Sequence, residues 1–190
     1  MARRVRSDAV RNYESLVSSA KESFMRAGVY VPLEEIARTA GVSIGTLYNH
    51  FKNREALLAA VLPGVVASQR DRIVDAVGTD GTAGERLARY LNELFAVQRE
   101  DRLLSDVLAT NGAMPDDAKA VCGELIAIGS ELLVEVAASS DDCPFDDPKH
   151  LAALIVANSV VQRSGPPEGW DDYLTAVARR VARTPSVISR

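Results

Sequence analysis

Apolar residues recur at steps of three and four along most of the chain, the spacing of one face of an α-helix. Over residues 8–27, Val10, Tyr13, Leu16, Val17, Ala20, Phe24 and Ala27 keep that spacing, and Gly28 stands where such a helix stops. Pro32 suits a first helical turn, and Leu33, Ile36, Ala37 and Ala40 then form a short stripe ended by Gly41. Ser43 is a good N-cap for a third, short helix with Leu47 and Phe51 on its inner face. Asn53 can cap a fourth, carrying Leu57, Leu58, Val61, Leu62, Val65, Val66 and Ile73. Pro63-Gly64 interrupts that pattern and predicts a kink or break near Leu62. Segments 83–98, 101–110, 116–138, 147–163 and 170–183 read as further helices, with Gly, Pro and Ser clusters between them. No alternating strand pattern and no internal repeat occurs in the sequence. The expected fold class is all-α, with about nine helices on this punctuation.

The second and third helices carry the chemistry. Two short helices joined by a tight turn containing Gly form a helix-turn-helix, whose second helix enters the DNA major groove. With Leu47 and Phe51 inward, Ser43, Ile44, Gly45, Thr46, Tyr48, Asn49 and His50 lie on or near the outward face of the third helix. Hydroxyl and amide groups there can bond phosphates or base edges, and Gly45 permits close backbone approach. Lys52 and Arg54 follow, placed to grip the flanking DNA backbone.

Charge at first opposes this reading. The whole chain of 190 residues has 22 Lys+Arg against 26 Asp+Glu, a net charge of -4, which taken alone argues against a nucleic-acid binder. Residues 1–60, however, hold nine basic against six acidic side chains, a net of +3, and the remaining 13 against 20 give -7. Five of the ten aromatic residues also precede residue 52, so the basic end has its own core material. The two cysteines, Cys122 and Cys143, lack a ligand-like spacing and are expected as unpaired thiols. With no secretory leader pattern and no 18-residue apolar run, a cytoplasmic, nucleoid-associated protein with no membrane partner is expected. His50 and His150 are the only histidines and sit in different segments. No catalytic residue, metal site or cofactor is therefore expected, nor an enzyme.

The run LEEIARTAGVSIGTLYNHFKNREALLAAV resembles the DNA-binding domain of the TetR family of bacterial transcriptional regulators, over about residues 8–62. That resemblance implies an N-terminal three-helix helix-turn-helix domain at 1–53 and a helical bundle for effector binding and dimerisation at 54–190. Tyr48 matches the family's phosphate-contacting Tyr, and Arg54 stands where the family usually has Lys. Val31-Pro32 replaces a common Thr, and Ile44 replaces a common polar reader, so contact there would be apolar, for instance to a thymine methyl. The leader containing Arg3, Arg4 and Arg6 is similar to basic arms of some members, or is a plain basic tail.

In the second half the candidates are less specific. Leu91, Leu94, Phe95, Leu103, Leu104, Val107, Leu108, Met114, Cys122, Leu125, Ile126 and Leu133 are candidate pocket residues, with Asn92, Gln98, Asn111 and Asn158 as polar groups that could orient a ligand. By resemblance, Leu154, Asn158, Val161, Tyr173, Leu174, Val177 and Val181 are candidates for a homodimer interface built from the last two helices. This half also looks similar to an SbtR-like group. The expected function is a homodimeric repressor, released from a palindromic double-stranded DNA operator by an unknown small-molecule ligand. The alternative is a regulator of the same fold without a pocket, constitutive or controlled by a protein partner.

Overall fold

In the computed structural model, the structure describes residues 2–109, 114–139 and 147–182. Its elements are α1 (Ala2–Ala27), α2 (Leu33–Thr39), α3 (Ile44–His50), α4 (Arg54–Val77), α5 (Ala83–Glu100), α6 (Arg102–Ala109), α7 (Asp116–Ser139), α8 (Pro148–Ser164) and α9 (Trp170–Ala182). All are helices, and no strand occurs among the described residues. The expected all-α class and order of elements hold.

Local chemistry sets most helix ends. Gly28 has φ +82°, which ends α1 in the left-handed region that Gly tolerates best. Ser43 Oγ accepts the Thr46 N–H at 3.1 Å, and Asn53 Oδ1 accepts the Ala56 N–H at 2.9 Å, so both expected caps are made. Thr82 and Glu85 close a capping box at the start of α5. Asp101 caps α6 through its Oδ1, which accepts the Leu104 N–H at 3.2 Å.

Two features depart from the sequence pattern. The helix α1 begins at Ala2, so the basic leader has helical backbone instead of forming a separate arm; the side chains of Arg3, Arg4 and Arg6 lie outside the described set. α4 runs unbroken from Arg54 to Val77 through Pro63, where a kink or break near Leu62 was expected. A proline removes one N–H and crowds the preceding turn. Leu62 and Val65 on either side are wholly buried, and α4 packs on α1, α5 and α7. That burial favours one continuous helix over two separated ones, so the expected break is not made.

The helices α1–α3 and the first turns of α4 surround Leu16, Phe24, Ile36, Leu47 and Leu57, all with no exposed surface. Ala37 is nearly fully buried, and Ser15 Oγ donates to the Ala40 carbonyl at 2.9 Å, pinning the turn to α1. In the other half α5 is central and packs on α4, α7, α8 and α9. Gly129 lets α7 approach α5: a Cβ there would lie 2.6 Å from the Tyr90 ring. The core is continuous between halves, because α1 packs on both α4 and α6.

Candidate nucleic-acid interface and interior cavity

The turn between α2 and α3 is fixed by backbone bonds, with Gly41 N–H donating to Arg38 O and Val42 N–H to Ala37 O. Gly41 sits at φ +71° and touches nothing, so its role is conformational. Leu47 is wholly buried and holds α3 against the core, which turns the opposite face outward. Gly45, Tyr48, Asn49 and Lys52 are exposed, while Ile44, Thr46 and His50 are half-buried. Tyr48, with 49% of its surface exposed, is the largest side chain presented by α3.

The remaining candidates are partly engaged within the protein. The Ser43 and Thr46 hydroxyls share a hydrogen bond of 2.9 Å. His50 meets Tyr13 edge-on at 6.1 Å between ring centroids, and Tyr13 stacks on Phe51 at 5.2 Å, so this aromatic group buttresses α3 against α1. Arg54 differs most from expectation. Its Nη1 donates to Val29 O at 2.8 Å and Val31 O at 2.6 Å, which turns that part of the guanidinium onto the α1–α2 turn and away from a DNA grip.

The same turn is held from the other side by a residue with no obvious sequence signature. Asp106 of α6 accepts the Val29 N–H through Oδ2 at 2.9 Å, and its Oδ1 lies 3.3 Å from Arg163 Nε on α8. A Cβ at Gly28 would come within 2.2 Å of Asp106 Oδ2, so the absence of a side chain there admits the carboxylate. One signal could have found this residue: an acid flanked by Leu103, Leu104, Val107 and Leu108 in the short RLLSDVLA helix.

An apolar cavity of about 60 Å³ lies between α4, α5, α6, α7 and α8. Among the sequence candidates, Leu94, Gln98, Leu104, Leu108, Cys122, Leu125 and Ile126 line it. Leu91, Phe95, Leu103, Val107 and Leu133 are buried but are not among its walls. Burial pushes the Cys122 thiol above its ordinary pKa, which keeps it neutral. Cys143 and Asn111 lie outside the described residues.

Asn158 also has a different role from either one expected. It is fully buried, donates through Nδ2 to Gln98 Oε1 at 2.7 Å and accepts from Trp170 Nε1 at 2.8 Å. Gln98 in turn donates to Ser159 Oγ at 2.7 Å and to Ile155 O at 2.8 Å. This network joins α5, α8 and α9 within one chain and leaves Asn158 neither on a free face nor on the cavity wall. Leu174 and Val181 are likewise buried inside the chain, so neither is free for a partner. Leu154, Val161 and Val177 are half-buried and Tyr173 is 54% exposed. The exposed stripe of α8 is instead Ala153, Val156, Ala157 and Val160.

A wider groove of about 290 Å³ between the end of α4 and α7 contains Arg86, Glu131 and Glu135 and is open to solvent. Among the described residues no group of His, Cys, Asp and Glu is placed to hold a metal ion, and no helix is long and apolar enough to cross a membrane.

Residues 16–61, which hold the helix-turn-helix, match the sequence profile of the bacterial regulatory proteins of the tetR family. Over those residues the chain is similar to the TetR family. Its relatives include the HTH-type transcriptional regulator BetI of Rhizobium meliloti, 31% identical over 129 residues, which are 64% of this chain and 61% of that one. Across the first curated relatives it matches, the chain spans between 50% and 61% of their length. Among solved structures, a TetR-family transcriptional regulator from Streptomyces coelicolor superposes with a TM-score of 0.67 at 21% identity, covering 92% of this chain and 95% of that one. RolR in complex with resorcinol gives 0.62 at 22% identity, covering 95% and 97%. At these identities the structural likeness concerns the fold.

Proposed function

We propose that this chain is a DNA-binding transcriptional regulator of the TetR family, acting as a homodimeric repressor released from a palindromic operator by a small molecule. The observation that carries this reading is the exposed face of α3, with Gly45, Tyr48 and Asn49 outward and Leu47 anchored inward. Ser43, Ile44, Thr46, His50 and Lys52 complete the surface offered to DNA, and Arg54 acts behind it by holding the α1–α2 turn. Residues 1–53 are the DNA-reading domain in this proposal, and residues 54–190 are the effector and dimer domain. A non-catalytic, cytoplasmic role is consistent with relatives that carry the names of transcriptional regulators.

Dimerisation would use the apolar stripe of α8 centred on Val156 and Val160 together with Tyr173 of α9, which are exposed at 48%, 44% and 54% in the single chain. A twofold pair places two recognition helices about 34–36 Å apart, one turn of B-DNA. The test is a gel shift of the purified protein on DNA from upstream of its own gene, at stated salt. A shift that is abolished by Tyr48→Ala is expected, and no shift at low salt would overturn the proposal.

A further inference from the structure

On the reading that the interior cavity is the effector site, we infer that its effector is a small, uncharged, apolar molecule of aromatic or hydrocarbon character. No Lys, Arg, His, Asp or Glu lines the cavity, and its walls are carbon from α4, α5, α6, α7 and α8. The few polar groups in the wall are already committed. The Tyr90 hydroxyl donates to Leu125 O at 3.0 Å, and the Gln98 amide is bonded to Asn158, Ser159 and Ile155. Gln69 directs its amide nitrogen to Asp101 Oδ2 at 3.2 Å, and Asp101 itself has no exposed surface. An ion entering this space would lose its hydration and meet no counter-charge, which disfavours both carboxylates and ammonium groups.

Size narrows the class further. A volume of about 60 Å³ lies far below the roughly 300–1,000 Å³ of sites for drug-sized ligands, so a guest must be compact and must part the walls. The partly exposed wall residues Leu108, Cys122 and Ile126 mark the mouth, between α6 and α7. Parting that mouth displaces Leu104 and Leu108 on the helix that also carries Asp106, the residue bonded to Val29 N–H beside the helix-turn-helix. Occupancy and the DNA-reading domain are thereby joined through one short helix.

Toluene, benzoate and benzylamine share a ring and differ in charge, which makes them a direct probe. Thermal unfolding of the full chain is followed at pH 7 with each compound, together with the fluorescence of Trp170, the single tryptophan. Toluene is expected to raise the midpoint in a saturable way, with the two ions at least about 100-fold weaker, the equivalent of ~2.7 kcal/mol. Leu108→Phe and Cys122→Phe, two independent fillings of the mouth, are each expected to remove the toluene effect; if one variant fails to fold, the other decides. Equal or tighter binding of either ion overturns the inference, as does the absence of any toluene effect or its persistence in the filled variants. A parallel gel shift separates this from the functional reading: toluene that binds in the cavity without weakening a DNA complex upholds the cavity's chemistry and removes the release step.

Discussion

Lys52 and Arg54 are two residues apart, carry the same charge and occupy opposite sides of the interface. Lys52 is exposed beside α3, whereas Arg54 bonds the carbonyls of Val29 and Val31. Replacing Arg54 by Ala therefore removes two charge-assisted bonds to buried-side carbonyls and is expected to lower stability by about 1.5–3 kcal/mol, read as a fall in the melting midpoint. Lys52→Ala leaves that midpoint within ~0.5 kcal/mol but weakens DNA binding and reduces the salt slope by about one, measured by gel shifts across a salt series. If the two substitutions gave the same pattern, the division of labour between them would be wrong.

Asp101 shows at the same scale how burial and capping compete. Its carboxylate caps α6, yet burial is the larger effect and raises its pKa above the ordinary carboxylate value; the bonds from Leu104 and Gln69 oppose that rise. The folded state thus holds a proton that the unfolded state has already released. Stability contributed here is greatest at acid pH, falls as pH climbs from about 3.9 to the raised value, and is constant above it. Asp101→Asn keeps an acceptor for the Leu104 N–H and never ionises. The midpoint of Asp101→Asn relative to the native chain should rise between pH 4 and pH 7, a trend that paired thermal melts will detect, and a falling difference would refute it.

At the scale of elements, α4 connects the helix-turn-helix half to the helical bundle, and Pro63 lies inside it. The ring leaves the Ala59 carbonyl without its helical donor, a cost that neighbouring burial outweighs. Pro63→Ala restores that bond in a helix that is already continuous, so a stability gain of about 1–3 kcal/mol is expected in thermal or urea unfolding. A loss would mean that α4 depends on the proline's shape. The second link between the halves is α6, where Asp106 joins Val29 and Arg163. Both links act on structure next to α2 and α3, and neither touches the exposed face of α3.

For the whole molecule, separated charge and an exposed apolar stripe matter most. In the proposed complex the basic end faces DNA while the acidic remainder, with its net of -7, keeps nonspecific contact low. Val156→Asp combined with Val160→Asp places two charges on the exposed stripe of α8 without entering the core. The expected outcome in sedimentation or light scattering is a shift to monomer, with operator affinity falling by more than tenfold because both half-sites are no longer held together. A variant that stayed dimeric would move the interface elsewhere.

The sequence by itself determined the series of helices, most of their ends and the helix-turn-helix. Stops such as Gly28 and Gly41 and caps such as Ser43 and Asn53 act within about four residues, so nearby sequence suffices to specify them. Tertiary structure alone decided the partners of Arg54, Asp106 and Asn158, the face of α5 and α6 that lines the cavity, and the passage of α4 through Pro63. Each of these choices depends on groups from 12 to 77 residues away, or on which apolar residues of a helix meet a neighbour. Periodicity marks which residues of a helix are inward, and only packing decides which of those border a cavity.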